Sequence, residues 1–203
     1  MAEHSIYKDI AERTGGDIYI GVVGPVRSGK STFITRFMQE MVLPNIADEA
    51  ARARARDEMP QSAAGKTVMT TEPKFVPEQA ISLSLDGGIA LKVKMIDCVG
   101  YLIPEAMGAI ENGQPRMVRT PWREEPMPFA EAAEIGTRKV IAEHSTIGIV
   151  VTTDGGAPLD QNLYQCVKGL TAAEATCNPG GTIILCAEMA DGLGGEQFYR
   201  DMH

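Results

Sequence analysis

Residues 17–31 read DIYIGVVGPVRSGKS, an apolar and β-rich run that meets Gly24 and then, after four intervening residues, Gly29-Lys30-Ser31. The spacing GxxxxGK[ST], set between a predicted strand and a predicted helix, constrains the fold more than any other feature of the chain. Gly24 and Gly29 permit tight turns with no Cβ in the way, so backbone N–H groups can converge on one point. The helix that opens near Lys30 adds its positive end. Together these suit a phosphate. Lys30 is placed to bridge β- and γ-phosphates, and Ser31 to ligate Mg²⁺. The expected nucleotide-binding set is Gly24, Arg27, Ser28, Gly29, Lys30, Ser31, Thr32 and Gly100.

A nucleotide held with Mg²⁺ also needs a carboxylate and a group that senses the γ-phosphate. Asp97 closes the apolar run KVKMID, and Gly100 follows it in D-x-x-G. Asp97 can hold the Mg²⁺ shell while the Gly100 N–H faces the γ-phosphate. Between loop and carboxylate lies VMTTEPKF, where Thr70 and Thr71 are the candidates for a switch threonine on the metal. Spacing does not choose between them. Lys30, Asp97, Thr70 and Thr71 form the expected catalytic set. Gly65-Lys66-Thr67 lacks the upstream glycine and a following helix, and reads as loop. The run ARARARDE at 51–58 reads as a solvated helix face rather than a source of arginine for a neighbouring subunit.

The remaining pattern alternates strand and helix, which predicts a layered α/β domain. Helices are expected over 31–43, ended by Pro44, and over 46–58, 129–143 and 160–174. Strands are expected at 17–23, 146–152 and 182–188. A hairpin is expected from AISLSL, Asp86-Gly87-Gly88 and IALKVKMID. Residues 60–79, with three prolines, read as a long loop with room for a short strand, and residues 100–128, with five, as a second long loop.

Composition bounds the function classes. Of 203 residues, 44% are hydrophobic and 23% charged, enough for a real core. Nineteen basic residues against 27 acidic ones give a net charge of −8, a poor match to nucleic acid over the whole surface. No apolar run is long enough for a transmembrane segment. Cys98, Cys166, Cys177 and Cys186 form no CxxC pair, which favours a reduced cytoplasmic compartment.

The runs IAERTGGDIYIGVVGPVRSGKSTFI, QSAAGKTVMTTEPKFVPEQA, IDCVGY, PRMVRTPWREEPMPFAEAAEIGTRKVI and EHSTIGIVVTTDG resemble the N-terminal ATPase domain of the stage IV sporulation protein A family, over residues 5 to about 155. The resemblance implies a P-loop NTPase fold, GTPase-like and related to translation factors. That fold is a three-layer sandwich on a mostly parallel sheet. It implies ATP and Mg²⁺ as cofactors, hydrolysis of ATP, and self-association into the basement layer of the spore coat. The implied location is the mother-cell cytoplasm, at the outer forespore membrane. It implies a small membrane-bound partner, met through a C-terminal region for which this chain has no matching sequence. Carried over, Lys30 is the loop lysine, Asp97 the Mg²⁺ carboxylate, and Thr70 or Thr71 the sensor. No Asn-Lys-x-Asp occurs anywhere, so the usual guanine-selecting group is missing and ATP is favoured. A GTP switch, or an assembly fragment that binds nucleotide without turnover, is the alternative.

After Asp154-Gly155 the resemblance changes. Residues 155–203 are similar to the C-terminal domain of the nickel-pincer lactate racemase family, in which Gln165 and Lys168 would contact substrate. The cofactor domain of that family has no counterpart here, so no racemase activity is expected. The chain thus reads as a chimera: an ATPase domain at 1–154 and a racemase-like tail at 155–203. The tail is expected to add a helix and, through residues 182–188, a strand to the same sheet.

Overall fold

Strand β1, Asp17–Val23, is the axis of the sheet. In this computed structural model the described residues are 14–25, 28–60, 73–85, 89–98, 100, 109–121, 123–153 and 155–201. Arg27, Gly65 to Thr71, the Asp86-Gly87-Gly88 turn and Trp122 lie outside them. The chain divides into two compact units between Val151 and Thr152.

In the first unit, β2 (Lys74–Leu85), β3 (Ile89–Asp97), β1 and β8 (Ile147–Val150) form a four-stranded sheet in the order β2-β3-β1-β8. β1 runs parallel to both neighbours, with Val22 opposite Asp97 on one side and Val23 opposite Val150 on the other. β2 is antiparallel to β3. The α/β class and the mostly parallel sheet are therefore as the sequence predicts.

Period-2 alternation decides which side chain meets which layer. Ile18, Ile20 and Val22 of β1 join Val93 and Met95 of β3 in one core cluster, with Ile34 and Met38 packed on them. Val23, Ile96, Cys98 and Val140 form a second cluster. Helices supply both coverings. Ile34 belongs to α1, Lys30–Phe37, which continues as a π-helical turn, Met38–Val42, and a closing 3₁₀ turn, Leu43–Asn45. Pro44 ends the winding as predicted, although the helix loosens six residues earlier. Helix α2, Glu49–Asp57, starts where the Asp48 carboxylate accepts the Ala50 N–H at 2.9 Å.

One sequence expectation in this unit is extended and another needs correction. The strand allowed within residues 60–79 is there as the start of β2 at Lys74, continuous with the predicted hairpin strand. Pro77 hides that continuity. A proline cannot donate to a ladder, and the register of β2 slips between Val76 and Ile81, on an edge strand that tolerates the gap. Residues 109–128 are not loop. They form two small hairpins, β4 (Ile110–Glu111) with β5 (Gln114–Pro115), and β6 (Met117–Thr120) with β7 (Arg123–Pro128). Helix α3, Phe129–Lys139, comes directly after β7 and passes into a π-helical turn, Val140–His144.

The second unit holds α4, Leu163–Glu174, and α5, Glu196–Asp201. Asn162 caps α4 by accepting the Gln165 N–H at 3.0 Å. Residues 182–188, expected as a strand of the main sheet, form no strand and belong to no sheet among the described residues. β-branched composition is only a preference, and a strand exists through its partner's hydrogen bonds. Here no described partner supplies them, and Ile184 is 82% exposed.

Candidate functional site

The carboxyl end of β1 leads straight into the glycine-bounded turn. Gly24 has φ +142, and a Cβ there would run into the Val151 carbonyl and come within 3.2 Å of the Ser28 hydroxyl. The turn closes with the Ser28 N–H on the Pro25 carbonyl at 3.3 Å. Gly29, at φ +94, sets the direction of α1, and the Phe33 N–H reaches its carbonyl at 2.8 Å to make the first helical turn. The left-handed backbone at this point favours glycine.

Lys30 is buried, at 6% exposure, and its ammonium donates to the Pro25 carbonyl at 2.6 Å. The side chain therefore folds back over the turn. The Ser31 hydroxyl donates to Asp97 Oδ2 at 3.1 Å. Parallel pairing explains this contact. It brings the end of β3 level with the end of β1, so the carboxylate arrives beside the first turn of α1. Gly100, at φ +86, completes the cluster. A Cβ on it would overlap the Gly24 carbonyl and stand 2.7 Å from the Lys30 ammonium.

The sequence-predicted residues Gly24, Ser28, Gly29, Lys30, Ser31, Asp97 and Gly100 are thus gathered at one end of the sheet. Thr32 is exposed on α1. Arg27, Thr70 and Thr71 lie outside the described residues.

The electrostatics are those of ions taken out of water. Burial pushes the Lys30 ammonium below its ordinary range, against the opposing influence of Cys98 and Asp97. Burial pushes the Asp97 carboxyl up, while the Ser31 hydrogen bond and then the Lys30 charge pull it back. The Ser28 hydroxyl is buried and has no hydrogen-bond partner among the described residues. A desolvated cation, an unpartnered buried hydroxyl and a space kept clear by two glycines fit a phosphate group. Ser31 and Asp97 offer the hard oxygen donors that suit Mg²⁺.

Sequence reasoning missed two neighbours. Cys98 donates its thiol to the Val22 carbonyl at 3.3 Å, and the Thr137 hydroxyl of α3 donates to Cys98 Sγ at 3.7 Å. Nothing in a lone cysteine and a mid-helix threonine signals this contact from sequence. In the second unit, Lys168 donates to Gln165 Oε1 at 2.6 Å on the surface of α4, so the pair is joined as the i, i+3 spacing predicts. A cavity of about 320 Å³ lined by Leu43, Pro44, Arg52, Arg56 and Met59 contains none of the predicted site residues. Arg52 there is committed to the Ile46 carbonyl through both Nε and Nη2, a structural use of the arginine run.

Fold and site together define an α/β domain whose first strand delivers a glycine-bounded turn, a lysine and a helix start to a carboxylate at the end of the neighbouring parallel strand. The family model described as "Stage IV sporulation protein A, ATPase domain" matches residues 1–168, and the chain belongs to that family. Stage IV sporulation protein A of Bacillus subtilis is 66% identical over 155 residues, covering 76% of this chain and 32% of the relative. The Clostridioides difficile protein of the same name is 57% identical over 162 residues, covering 79% of this chain and 33% of the relative. This chain therefore spans about a third of the length of these curated relatives.

A second model, the lactate racemase C-terminal domain, matches residues 142–203 and overlaps the first over 142–168. Lactate racemase of Thermoanaerobacterium thermosaccharolyticum is 51% identical over 76 residues, covering 35% of this chain and 18% of the relative. Two different family models thus match successive, overlapping parts of the chain, which is consistent with the composite expected from its sequence. No solved structure matches. No helix among the described residues is long and apolar enough to cross a membrane.

Proposed function

We propose that residues 1–154 form a P-loop nucleotide-binding domain that binds ATP with Mg²⁺ and hydrolyses it. In this reading the domain is the nucleotide-driven part of a protein that polymerises into the basement layer of the spore coat. The observation that carries the reading is the Ser31–Asp97 contact beside a buried Lys30. A hydroxyl and a carboxylate drawn together at a lysine-bearing turn have an evident use as an Mg²⁺ pair. Without an ion, the arrangement leaves Asp97 desolvated to no benefit.

Each residue has a task. Backbone N–H groups of the 24–31 turn and the Lys30 ammonium hold phosphate oxygens. Ser31 and Asp97, with Thr70 or Thr71, hold the metal. The Gly100 N–H meets the terminal phosphate. Mg²⁺, when bound, neutralises charge on the phosphates and draws electron density from the bond to be broken. The protein's part is to orient these oxygens and exclude water around them. The missing Asn-Lys-x-Asp supports ATP over GTP. Gln165 and Lys168 are assigned no part in this reaction.

The test is phosphate release from ATP and from GTP, with Mg²⁺, by the chain and by Lys30→Ala. The expected result is ATP turnover that Lys30→Ala abolishes. Turnover that survives the substitution would overturn the assignment, and GTP preference would overturn the nucleotide. ATP binding without turnover would leave a binding module that needs the remainder of its relatives' length to act. Sedimentation of the same samples reads polymerisation.

A further inference from the structure

Behind the nucleotide turn, one buried polar chain ties three elements together. Thr137 of α3 is fully buried, at 0% exposure, and gives its hydroxyl to Cys98. Cys98 gives its thiol to the carbonyl of Val22. Val22 is the β1 residue that stands opposite Asp97, and Cys98 is the residue after Asp97. β3 ends at Asp97, and among the described residues no ladder holds the backbone beyond it. The thiol acts as one extra rung, placed where the chain leaves the sheet for Gly100.

The surroundings make this more than packing. Cys98 shares its cluster with Val23, Ile96 and Val140, all nearly fully buried. A hydroxyl set into such a layer is costly unless it has a partner, and a valine of the same shape would avoid that cost. The polar choice at 137 and the thiol at 98 therefore specify a position rather than merely fill space. What they position is the end of β3, which carries Asp97.

We propose that Thr137 and Cys98 are positioning residues for the metal carboxylate. They couple α3, and the β6–β7 hairpin that leads into it, to the Mg²⁺ side of the site. The proposal rests on the Mg²⁺–ATP reading above. It predicts a defect confined to the metal-dependent part of binding, because the phosphate turn itself is untouched.

The experiment is ATP titration of the full chain by calorimetry, once with Mg²⁺ and once with EDTA, alongside thermal melts. Wild type is expected to bind ATP more tightly with Mg²⁺. Thr137→Val, which keeps the side-chain shape, is expected to leave the EDTA affinity unchanged and to lose about fivefold with Mg²⁺, the worth of one hydrogen bond. Thr137→Ser should restore the metal-dependent part. Should Thr137→Val fail to fold, Cys98→Ala against Cys98→Ser gives the same comparison. A wild-type Mg²⁺ dependence in Thr137→Val or Cys98→Ala overturns the proposal, as does an equal loss in Mg²⁺ and EDTA. If wild type itself binds no ATP and matches Lys30→Ala, the underlying reading falls, and the proposal with it.

Discussion

Gly100 lies so close to Gly24 that a single methyl group on it would occupy the space of the Gly24 carbonyl oxygen. The two glycines belong to different segments, one leaving β1 and one leaving β3. Their approach closes the site from two sides. Gly100→Ala meets both that overlap and a backbone at φ +86. The left-handed conformation alone costs a non-glycine residue about 1 kcal/mol or more. The expected outcome is a lower melting temperature and at least tenfold weaker ATP binding, read by melts and titration.

Lys30→Met separates function from stability. Burial lowers the Lys30 pKa from its ordinary value of 10.5, so the unfolded chain holds this proton more firmly than the folded one. Stability from this group therefore rises as pH climbs from the lowered folded value towards 10.5, and at neutral pH the buried charge is a cost. Lys30→Met should lose ATP binding yet melt no lower than wild type without nucleotide. Its advantage, about 1 kcal/mol in scale, should shrink above pH 10. A melt series across pH measures it.

The sign is opposite for Asp97. Its pKa is raised from 3.8, first by burial, so the folded chain binds the proton more firmly. Its contribution is fully present below pH 3.8 and is lost as pH rises through the raised folded value. Asp97→Asn should therefore melt higher than wild type at neutral pH in EDTA, and converge with it in acid. Adding Mg²⁺ on top of ATP should stabilise wild type further and leave Asp97→Asn where ATP alone put it. Scanning calorimetry with and without Mg²⁺ reads both halves.

A control belongs on the other side of the sheet. A Cβ at Gly21 would meet the Ser145 side chain and stand 2.9 Å from Val140 Cγ1, beneath the turn that succeeds α3. Neither neighbour is the free end of a long side chain. Gly21→Ala should destabilise by about 2 kcal/mol through overpacking. With Mg²⁺ and EDTA affinities changed alike, it contrasts with Thr137→Val.

How much of the fold and site is legible in the sequence depends on what each element needs in order to form. β1, the turn and α1 can be read because glycine spacing and apolar periodicity are local properties. The approach of Asp97 to Ser31 can be read because a carboxylate at the end of an apolar run has few other uses. β2 reads short because Pro77 looks like a breaker, whereas an edge strand with a slipped register accommodates it. The hairpins at 110–128 escape sequence reading because their strands are short, proline-rich and mostly exposed, so they carry no alternating pattern. Residues 182–188 mislead for the converse reason: the sequence has the composition of a strand and cannot say whether a partner exists.

β8 is the outermost strand of the sheet on its side, and the division between units falls directly after it, between Val151 and Thr152. Both core clusters of the first unit, with everything packed on them, draw their residues from positions 18–151. Replacing the chain downstream of that rim would remove none of those cluster residues and break no described ladder of the sheet. Evolution or accident could exchange the downstream segment without asking the interior to repack. The last strand works as a hem, where foreign cloth can be sewn on without unravelling the weave.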